Sequence, residues 1–385
     1  EYDGTALTDA GWQDTAPVGL KGTDAVESVT VTGTITEVGT EDNVPSAAVV
    51  KNGDVDVTAN YEIEYVNGTL EVTQSSKALV ITSSTKSWEY DGELHKDEVY
   101  TVTYDGTALE ADESGKVFTL PTGDTVTITA TAEGVKYVAD SAENNNTYTY
   151  VLTNAGQYSS VTANYGKLSI TQAPLTITAD SNSKEYDGTA LTDNGWQDTA
   201  PVGLKGTDAV DSVTVTGTIT EVGSEDNVAS AAVVKNGDVD VTANYDITYV
   251  KGTLTITQTT EKFEISLDDD EYVYDAAEHA NAKTATSTAV TGTTTYSYSF
   301  EEEGEYVADL SSLTKIDAGT YTIYVKGTNP NYSEPATTTA TLKIKQRPVT
   351  FTGKSETKPY TGSTITINTV EVTETGEGVG LVSGH

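Results

Sequence analysis

Apolar and polar residues alternate in short runs along most of this chain, and a period of two is typical of β-strands that bury one face. The clearest run is 211–222, where Val213, Val215 and Ile219 stand between Ser and Thr residues. Gly, Asp-Gly and Asn-Gly positions separate such runs and favour turns. The Ala and Val residues of 228–234 fit either a short helix or a buried strand. The pattern therefore predicts an all-β fold.

A short phrase, Tyr-Asp-Gly with variations, recurs along the chain at Tyr2, Tyr90, Tyr186, Tyr274 and Tyr360. Each complete repeat closes on a Leu-x-(Val/Ile)-x-Gln segment, which ends at Gln74, Gln172, Gln258 and Gln346. The distances from tyrosine to glutamine are 72, 82, 72 and 72 residues. Such regular spacing indicates a tandem array of structural repeats.

Two types of repeat alternate. Residues 1–74 and 185–258 align without a gap and differ at nine positions, and these sequences define type A; the divergent repeats define type B. Joins of two to four residues, two of them containing Pro, favour an elongated and semi-rigid rod. We predict the following modules, called repeats 1 to 5 below: 1–74 (type A, lacking its opening strand), 75–172 (type B, with an insertion), 173–258 (type A), 259–346 (type B) and 347–385 (a partial, type A-like module).

The composition predicts that the surface of the chain is strongly acidic. The formal charge is −38, from 21 basic and 59 acidic residues. Such a surface repels nucleic acid and anionic lipid, so we expect neither as a partner. Cys is absent, which excludes disulfides and thiolate chemistry. Met and long apolar runs are absent too, so we expect an internal segment of a longer exported protein, without membrane insertion.

The repeats resemble the YDG and MBG ("mostly β-grasp") repeats, which occur in tandem in bacterial surface proteins and adhesins. The resemblance rests on the phrase 184–189, Lys-Glu-Tyr-Asp-Gly-Thr, and on the closing segment 244–256. Type A repeats match over almost their whole length and type B repeats mainly at their ends. Ala276 replaces the family's Gly and Thr361 its Asp, which suggests a turn preference rather than reacting groups. The resemblance implies small β-grasp-like or Ig-like modules that form a stalk.

The residue pattern gives little support for a catalytic site. His95 and His279 occupy equivalent loop positions of the type B repeats, and His385 is terminal. The pair could contribute to a metal site, but zinc needs three or four ligands, so solvated loop positions are the simpler interpretation. Near-identical repeats seldom each keep an active site. We predict no catalytic residues, no cofactor and no enzymatic activity.

Acidic pairs offer a weak candidate for calcium binding. Asp54 with Asp56, and Asp238 with Asp240, stand in Asp-Val-Asp-Val segments. If these segments are strands, the two carboxylates share one face and the valines point inward. Neither segment has the loop pattern of an EF-hand. A solvated acidic face is the alternative interpretation of both pairs.

Two further site hypotheses follow from aromatic and amide residues. Trp12 and Trp196 lie beside Gly-rich turns and could form a platform for a sugar ring, although such residues also fill small β cores. Lys184 and Asn244 have the chain positions of an early-strand lysine and a late-strand asparagine that could form an isopeptide cross-link. The cross-link needs three groups to meet in a dry core.

The favoured function is mechanical, namely stalk or spacer repeats that project a distal binding domain from a bacterial cell surface. Host or bacterial glycans and proteins would then be partners of that distal domain. One alternative is that the modules themselves bind carbohydrate or a host glycoprotein. Another is a self-assembling extracellular fibre, in which the strand around Val349–Phe351 completes the first module of the next molecule, head to tail.

Overall fold

The computed structural model describes residues 1–13, 18–198, 201–373 and 378–382. These residues form 28 β-strands and five one-turn 3-10 helices, and none of them lies in an α-helix. The predicted all-β fold is confirmed. The chain divides into two compact units, which are described separately: unit 1 comprises Glu1–Leu175, Val202–Asp211 and Val233–Thr248, and unit 2 comprises Thr176–Pro201, Ser212–Ala232 and Tyr249–His385.

In unit 1, repeats 1 and 2 contain four sheets and an apolar core that continues from repeat 1 into repeat 2. The sheet orders are β1-β2-β3 with β4 on β2, β12-β5-β7-β8, β11-β10-β9 and β13-β6. Ile81, Val102 and Val126 are completely buried in this core. The strands are β1 (Ala25–Thr32), β2 (Gly39–Asn52), β3 (Val55–Asp56), β4 (Gly68–Val72), β5 (Leu79–Ser83), β6 (Lys86–Glu89), β7 (Tyr100–Tyr104), β8 (Thr107–Ala108), β9 (Val117–Thr119), β10 (Thr125–Ala130), β11 (Tyr148–Leu152), β12 (Val161–Asn164) and β13 (Leu168–Thr171).

The strands that continue the chain through repeat 3 are β14 (Ala173–Thr178), β15 (Asn182–Glu185), β16 (Ala209–Thr216), β17 (Gly223–Asn236), β18 (Val239–Asp240), β19 (Tyr245–Val250) and β20 (Gly252–Thr257). In unit 2, β20 pairs with β15 on one side and with the start of β17 on the other. The ambiguous stretch 228–234 lies inside β17 and is therefore a strand. Ala231, at φ +49°, bends it locally. The 3-10 helices are Thr58–Asn60, Val138–Asp140, Ala155–Gln157, Thr242–Asn244 and Leu310–Ser312.

Repeat 4 folds around one four-stranded sheet of unit 2, with the order β22-β26-β25-β24. Ile323 of β25 and Leu342 of β26 are completely buried on one face of this sheet. The remaining pairs of this part of the chain are β21 with β23 and β27 with β28. The strands are β21 (Ile265–Ser266), β22 (Asp270–Val273), β23 (Thr286–Ser287), β24 (Thr295–Ser299), β25 (Gly319–Thr328), β26 (Ala336–Lys345), β27 (Thr350–Gly353) and β28 (Val370–Thr373).

Opening and closing strands of a repeat lie side by side and run parallel. In repeat 2, β5 pairs with β12 and β6 pairs with β13, each over four residue pairs. In repeat 3, β15 pairs with β20, and in repeat 4, β22 pairs with β26. Because the two strands are parallel and lie at opposite ends of the repeat, a force along the chain loads the hydrogen bonds between them in shear.

All five Tyr-Asp-Gly phrases make the same turn, with a positive φ at the third position. This residue is glycine at Gly4, Gly92, Gly188 and Gly362, with φ between +75° and +84°, and alanine at Ala276, with φ +66°. A side chain in this left-handed region costs about 1 kcal/mol or more. Part of that cost is recovered because alanine leaves the unfolded chain less freedom than glycine does.

Ala276→Gly is therefore expected to raise the free energy of unfolding of repeat 4 by about 0.5–1 kcal/mol. Urea denaturation of the full chain, followed by hydrogen exchange in 270–280, measures the change. Ala277→Gly is the matched control, because Ala277 does not have a positive φ and its replacement should destabilise slightly. Equal effects of the two substitutions would contradict the strain at Ala276.

Candidate functional site: tyrosine joints between repeats

Each phrase turn is fixed to the closing strand of its own repeat. In repeat 2, the amide of Tyr90 donates to the carbonyl of Thr171 at 2.9 Å, directly after the parallel pair β6–β13. The Asp91 carboxylate then accepts the amide of Glu93 at 2.9 Å, and Gly92 completes the turn at φ +84°. These contacts thus fix the backbone that carries the Tyr90 side chain.

The Tyr90 ring is buried between its own repeat, where it stacks on Tyr137 at 6.4 Å, and the following repeat. Its hydroxyl donates to Oδ2 of Asp208 at 2.9 Å. Tyr245 donates to the same oxygen at 2.6 Å, and Asn236 donates to Oδ1 at 2.6 Å. The two tyrosine rings meet edge to face, with centroids 5.4 Å apart. Asp208 thus accepts three hydrogen bonds at 8% exposure, which compensates for the burial of its charge.

A second contact between repeats 2 and 3 comes from the closing glutamine. The Gln172 amide nitrogen donates to the carbonyls of Ala243 and Tyr245 at 3.1 and 3.0 Å. In return, Oδ1 of Asn244 accepts the amide of Val138 at 2.8 Å. Phrase and closing strand therefore both contact the loop 243–245. We call this set of contacts joint 2/3, and the group Asp208, Tyr245 and Asn236 its socket.

Joint 1/2 has the same design. The hydroxyls of Tyr2 and Tyr158 donate to Oδ2 of Asp124 at 2.8 and 2.6 Å, and Asn154 donates to Oδ1 at 2.8 Å. The two rings are edge to face at 5.8 Å. Gln74 donates to the carbonyls of Gly156 and Tyr158. Tyr2 is 5% exposed and belongs to the apolar core that repeats 1 and 2 share.

Gly4 permits this close approach. A Cβ built at Gly4 would lie 2.1 Å from the carbonyl oxygen of Thr122, in the turn that precedes Asp124. Backbone cannot move aside as a flexible side chain can. The glycine of this phrase is therefore required twice, for its positive φ and for contact with repeat 2.

Joint 3/4, which lies within unit 2, replaces the acid by a hydroxyl. Tyr186 forms a hydrogen bond of 2.6 Å with Oγ1 of Thr291, and its ring meets that of Tyr332 at 5.5 Å. Gln258 donates to the carbonyls of Pro330 and Tyr332 at 3.0 and 3.3 Å. Oδ1 of Asn331 accepts the amide of Val222 at 2.9 Å. Ring packing and the glutamine are thus the constant parts of a joint, whereas the acid is variable.

The sequence did not identify the acids of the sockets. Each lies a similar distance before its tyrosine: 37 residues separate Asp24 from Tyr61 and Asp208 from Tyr245, and 34 separate Asp124 from Tyr158. That similar spacing was the available signal. Tyr2, Tyr90 and Tyr186 are buried core residues, but each also contacts the following repeat, which the local sequence does not indicate. A phrase tyrosine and a core tyrosine have the same local pattern.

Joint 1/2 is expected to weaken at both ends of the pH scale. Burial by itself raises the pKa of Asp124, but the hydrogen bonds from Tyr158, Tyr2 and Asn154 outweigh it and hold this pKa below the ordinary aspartate value. Burial and the bond to Asp124 raise the pKa of Tyr2 to about 12. The stabilisation of the folded state by Asp124 is therefore complete above about pH 4 and is lost as the pH falls through its lowered pKa. The stabilisation by the Tyr2 hydroxyl is complete below about pH 10 and is lost as the pH rises through about 12.

Tyr2→Phe tests this dependence because it removes one hydroxyl and keeps the ring. The difference in unfolding free energy between wild type and variant should be about 1.5 kcal/mol at pH 7 and should shrink below pH 4 and above pH 10. Urea titrations from pH 2.5 to 11.5 give this difference. A difference that does not change with pH would show that the Tyr2 hydroxyl does not interact with ionised Asp124.

The acidic pairs lie at the tips of hairpins. Asp56 accepts the amide of Thr58 at 2.9 Å, and Asp240 that of Thr242 at 2.9 Å, so both carboxylates fix the start of a 3-10 helix. Val55 and Val239 do not point inward as expected, since they are 64% and 56% exposed, whereas Val241 is 2% exposed and does point inward. The physical reason is that β3 and β18 are two residues long and extend beyond the core.

Calcium binding by Asp54, Asp56, Asp238 and Asp240 stays a prediction. Asp54 and Asp238 are exposed. Within the ranges that the structure describes, three or more acidic or histidine side chains do not gather into a group that could hold a metal.

The remaining predicted site residues are placed as follows. Trp12 and Trp196 are half-buried, and the backbone of Trp196 bridges to Ala179. The Lys184 amine donates to Asp187 and Thr189 of its own phrase at 2.8 and 2.7 Å. Asn244 belongs to joint 2/3. The sugar platform and the isopeptide both stay predictions, and an intact mass lowered by one ammonia would establish the latter.

The type B histidines have a structural environment that sequence alone did not give. His95 stacks on Trp88 at 5.0 Å, and its Nε2 lies 3.0 Å from Asp91. His279 stacks on Tyr272 at 4.2 Å, and its Nε2 lies 2.8 Å from Asp275. Each ring therefore supports the phrase turn of its own repeat.

Comparison with known proteins gives no family assignment. No family model and no curated protein matches the sequence. Among solved structures, the fibronectin(III)-like modules of Clostridium thermocellum CbhA align at 14% identity over 45% of this chain and 94% of theirs, with a TM-score of 0.18. Drosophila N-cadherin EC1-3 aligns at 10% identity over 72% and 100%, with a TM-score of 0.18.

A SusE-like surface polysaccharide-binding protein of Bacteroides thetaiotaomicron, BT4661, aligns at 8% identity over 86% of this chain and 56% of its own, with a TM-score of 0.17. These scores are too low to support a conclusion about this chain.

Within the described ranges there is no helical segment with the length and hydrophobicity that a membrane crossing needs.

Proposed function

We propose that this chain is a load-bearing stalk segment of an extracellular, bacterial surface protein. The observation that carries this proposal is the parallel pairing of opening and closing strands, β5 with β12 and β6 with β13 in repeat 2. Force along the chain pulls the two strands of such a pair in opposite directions. Their hydrogen bonds then carry the load together and must break together.

The joints support the same function. Joint 1/2 buries Tyr2 to 5% exposure, and joint 2/3 buries Tyr90 to 1%. Each burial fixes a repeat against its neighbour by ring packing and by charged hydrogen bonds. A stalk needs such joints, because loose linkers between modules would absorb extension without bearing force. The acidic surface, at −38, keeps neighbouring stalks apart.

Single-molecule pulling tests the proposal, and the absence of native cysteine makes the design simple. Handles at the two termini load β5 and β12 in shear. In a second version, Lys77→Cys and Ser160→Cys place both handles at exposed positions just before β5 and β12. Because the two strands are parallel, this second geometry opens their pairs one after another. Terminal pulling should require clearly higher forces, whereas equal forces in both geometries would overturn the mechanical role.

The finer parts of the proposal are the kinship with YDG and MBG repeats and the presence of a distal binding domain. The Tyr-Asp-Gly phrases and their common turn support the first. The sequences that flank this segment test the second, since a stalk requires an anchor on one side and a different domain on the other. A glycan array probed with the full chain tests the carbohydrate alternative, in which Trp12→Ala or Trp196→Ala would abolish any signal.

A further inference from the structure

The turn before the socket acid differs between repeats 2 and 3. In repeat 3, which is type A, the turn glycine is Gly206, two places before Asp208, with φ +53°. In repeat 2, which is type B, it is Gly123, one place before Asp124, with φ +89°. Thr122 therefore occupies the place of Gly206. Because a glycine with positive φ decides which way the neighbouring carbonyls point, the two repeats present different atoms to the phrase of the preceding repeat.

Among the three joints, the third position of the phrase has free space in joint 2/3 alone. A Cβ built at Gly4 in joint 1/2 would lie 2.1 Å from the carbonyl oxygen of Thr122. In joint 3/4, a Cβ at Gly188 would lie 3.3 Å from Cγ1 of Val290. In joint 2/3, a Cβ at Gly92 would have no atom of another described residue within 4 Å, apart from its chain neighbours. The type B repeats thus touch this position, and the type A repeat leaves it open.

The residue before the tyrosine repeats this distinction. In joint 3/4, Oε1 of Glu185 accepts the amide of Thr260 at 2.9 Å, two places after the closing glutamine. In joint 1/2, Glu1 accepts the amide of Ser76 at the same place. Repeat 3 has Pro174 there, and proline has no N–H to donate. Both glutamate contacts are exposed, so they add less to selection than the third position does.

The phrase of repeat 4 lacks both features. Ala276 stands at its third position, and Val273 stands before its tyrosine. The sequence that follows repeat 4, 347–385, is type A-like, with Pro348 two places after the closing glutamine. The two phrases that contact type B repeats keep both glutamate and glycine. Alanine at the third position thus occurs where a type A sequence follows.

We propose that a type B repeat selects the phrase before it and admits glycine alone at the third position, whereas a type A repeat also admits alanine. In joint 1/2, alanine would overlap the Thr122 carbonyl, and backbone cannot yield as a flexible side chain can. Such exclusion gives specificity through a penalty on the wrong partner. It fixes the order of the repeats, because repeat 4 then fits before a type A repeat and not before a type B repeat. The inference rests on the joint geometry and is independent of a load-bearing role.

Three glycine-to-alanine substitutions in the full chain test this selection, one at each joint. Gly4 and Gly92 both have φ +84° and Gly188 has φ +77°, so alanine carries nearly the same backbone strain at all three positions. A difference between the effects of the three substitutions therefore reports the contact with the next repeat.

One backbone amide that crosses each joint serves as the reporter in hydrogen exchange. The amides are those of Val38 in joint 1/2, Val138 in joint 2/3 and Val222 in joint 3/4, which donate to side-chain oxygens of the next repeat at 2.5, 2.8 and 2.9 Å. None of the three belongs to a phrase, so the substitutions leave these donors and acceptors themselves unchanged.

The substitutions in joints 1/2 and 2/3 should differ most. Gly92→Ala should lower the protection of Val138 about fivefold, which is the effect of the strained φ alone. Gly4→Ala should lower the protection of Val38 at least about tenfold more than this, because the phrase can no longer approach Thr122. Equal losses of protection in the two joints would overturn the proposal.

Gly188→Ala should have an intermediate effect on joint 3/4, since Val290 is 71% exposed and can turn aside. Amides in 39–43, where β2 pairs with β4, report whether repeat 1 itself stays folded after Gly4→Ala. Their protection should not change. A loss there as large as that at Val38 would place the effect inside repeat 1 and would also overturn the proposal.

Discussion

Asp208→Ala is expected to lower the free energy of local unfolding at joint 2/3 by about 3 kcal/mol. The substitution leaves the hydroxyls of Tyr90 and Tyr245 without their acceptor, and these side chains are 1% and 3% exposed. A buried donor that loses its partner costs about 1–3 kcal/mol. Part of this cost is recovered, because the variant no longer buries a carboxylate.

Hydrogen exchange of the full chain measures this effect without the assumption of two-state unfolding. Amides in 86–92 and 205–211 should lose about 100-fold in protection, since each factor of ten equals about 1.4 kcal/mol. Asp24→Ala is the matched control, with the same local sequence and the same resident tyrosine. Its cost should stay near 1 kcal/mol, because water can replace an acceptor at a half-exposed site. Equal losses at the two sites would mean that the socket acts locally and does not couple repeats.

Tyr90→Ala is expected to cost about 3–5 kcal/mol, as the truncation of a buried aromatic side chain usually does. The ring packs against Tyr245 at 5.4 Å and bridges the two repeats. Tyr90→Phe keeps this packing and removes one hydrogen bond to a charged group, so its cost should be about 1.5–3 kcal/mol. The difference between the two variants separates ring packing from the hydrogen bond.

The informative result is which repeats lose hydrogen-exchange protection. Tyr90 belongs to repeat 2 in sequence, but its removal should reduce protection in 205–211 and 236–245 of repeat 3 as strongly as in repeat 2. Tyr150→Ala, in the same repeat and 37% exposed, serves as the control and should leave repeat 3 unchanged. A loss confined to repeat 2 would show that Tyr90 acts as an ordinary core residue and would remove the basis of the joint.

Much of the local structure was predictable from the sequence. Period-two alternation located strands such as β16 and β20, because one buried face imposes that period. Asp-Gly located the phrase turn, because glycine accepts positive φ. The same rule failed for Val55, since a strand of two residues at a hairpin tip has no core to face.

The sequence by itself determined that this chain is an all-β tandem array with a repeated turn after each opening strand. Alternation and turn chemistry are local properties, so they are visible without a fold. Only the tertiary structure decided that the tyrosine after the turn also contacts the next repeat. Asp24 and Asp208 make this distinction clear, because their surroundings are almost identical in sequence and differ in burial. Burial at such a site depends on which neighbouring repeat lies against it, and no local pattern contains that information.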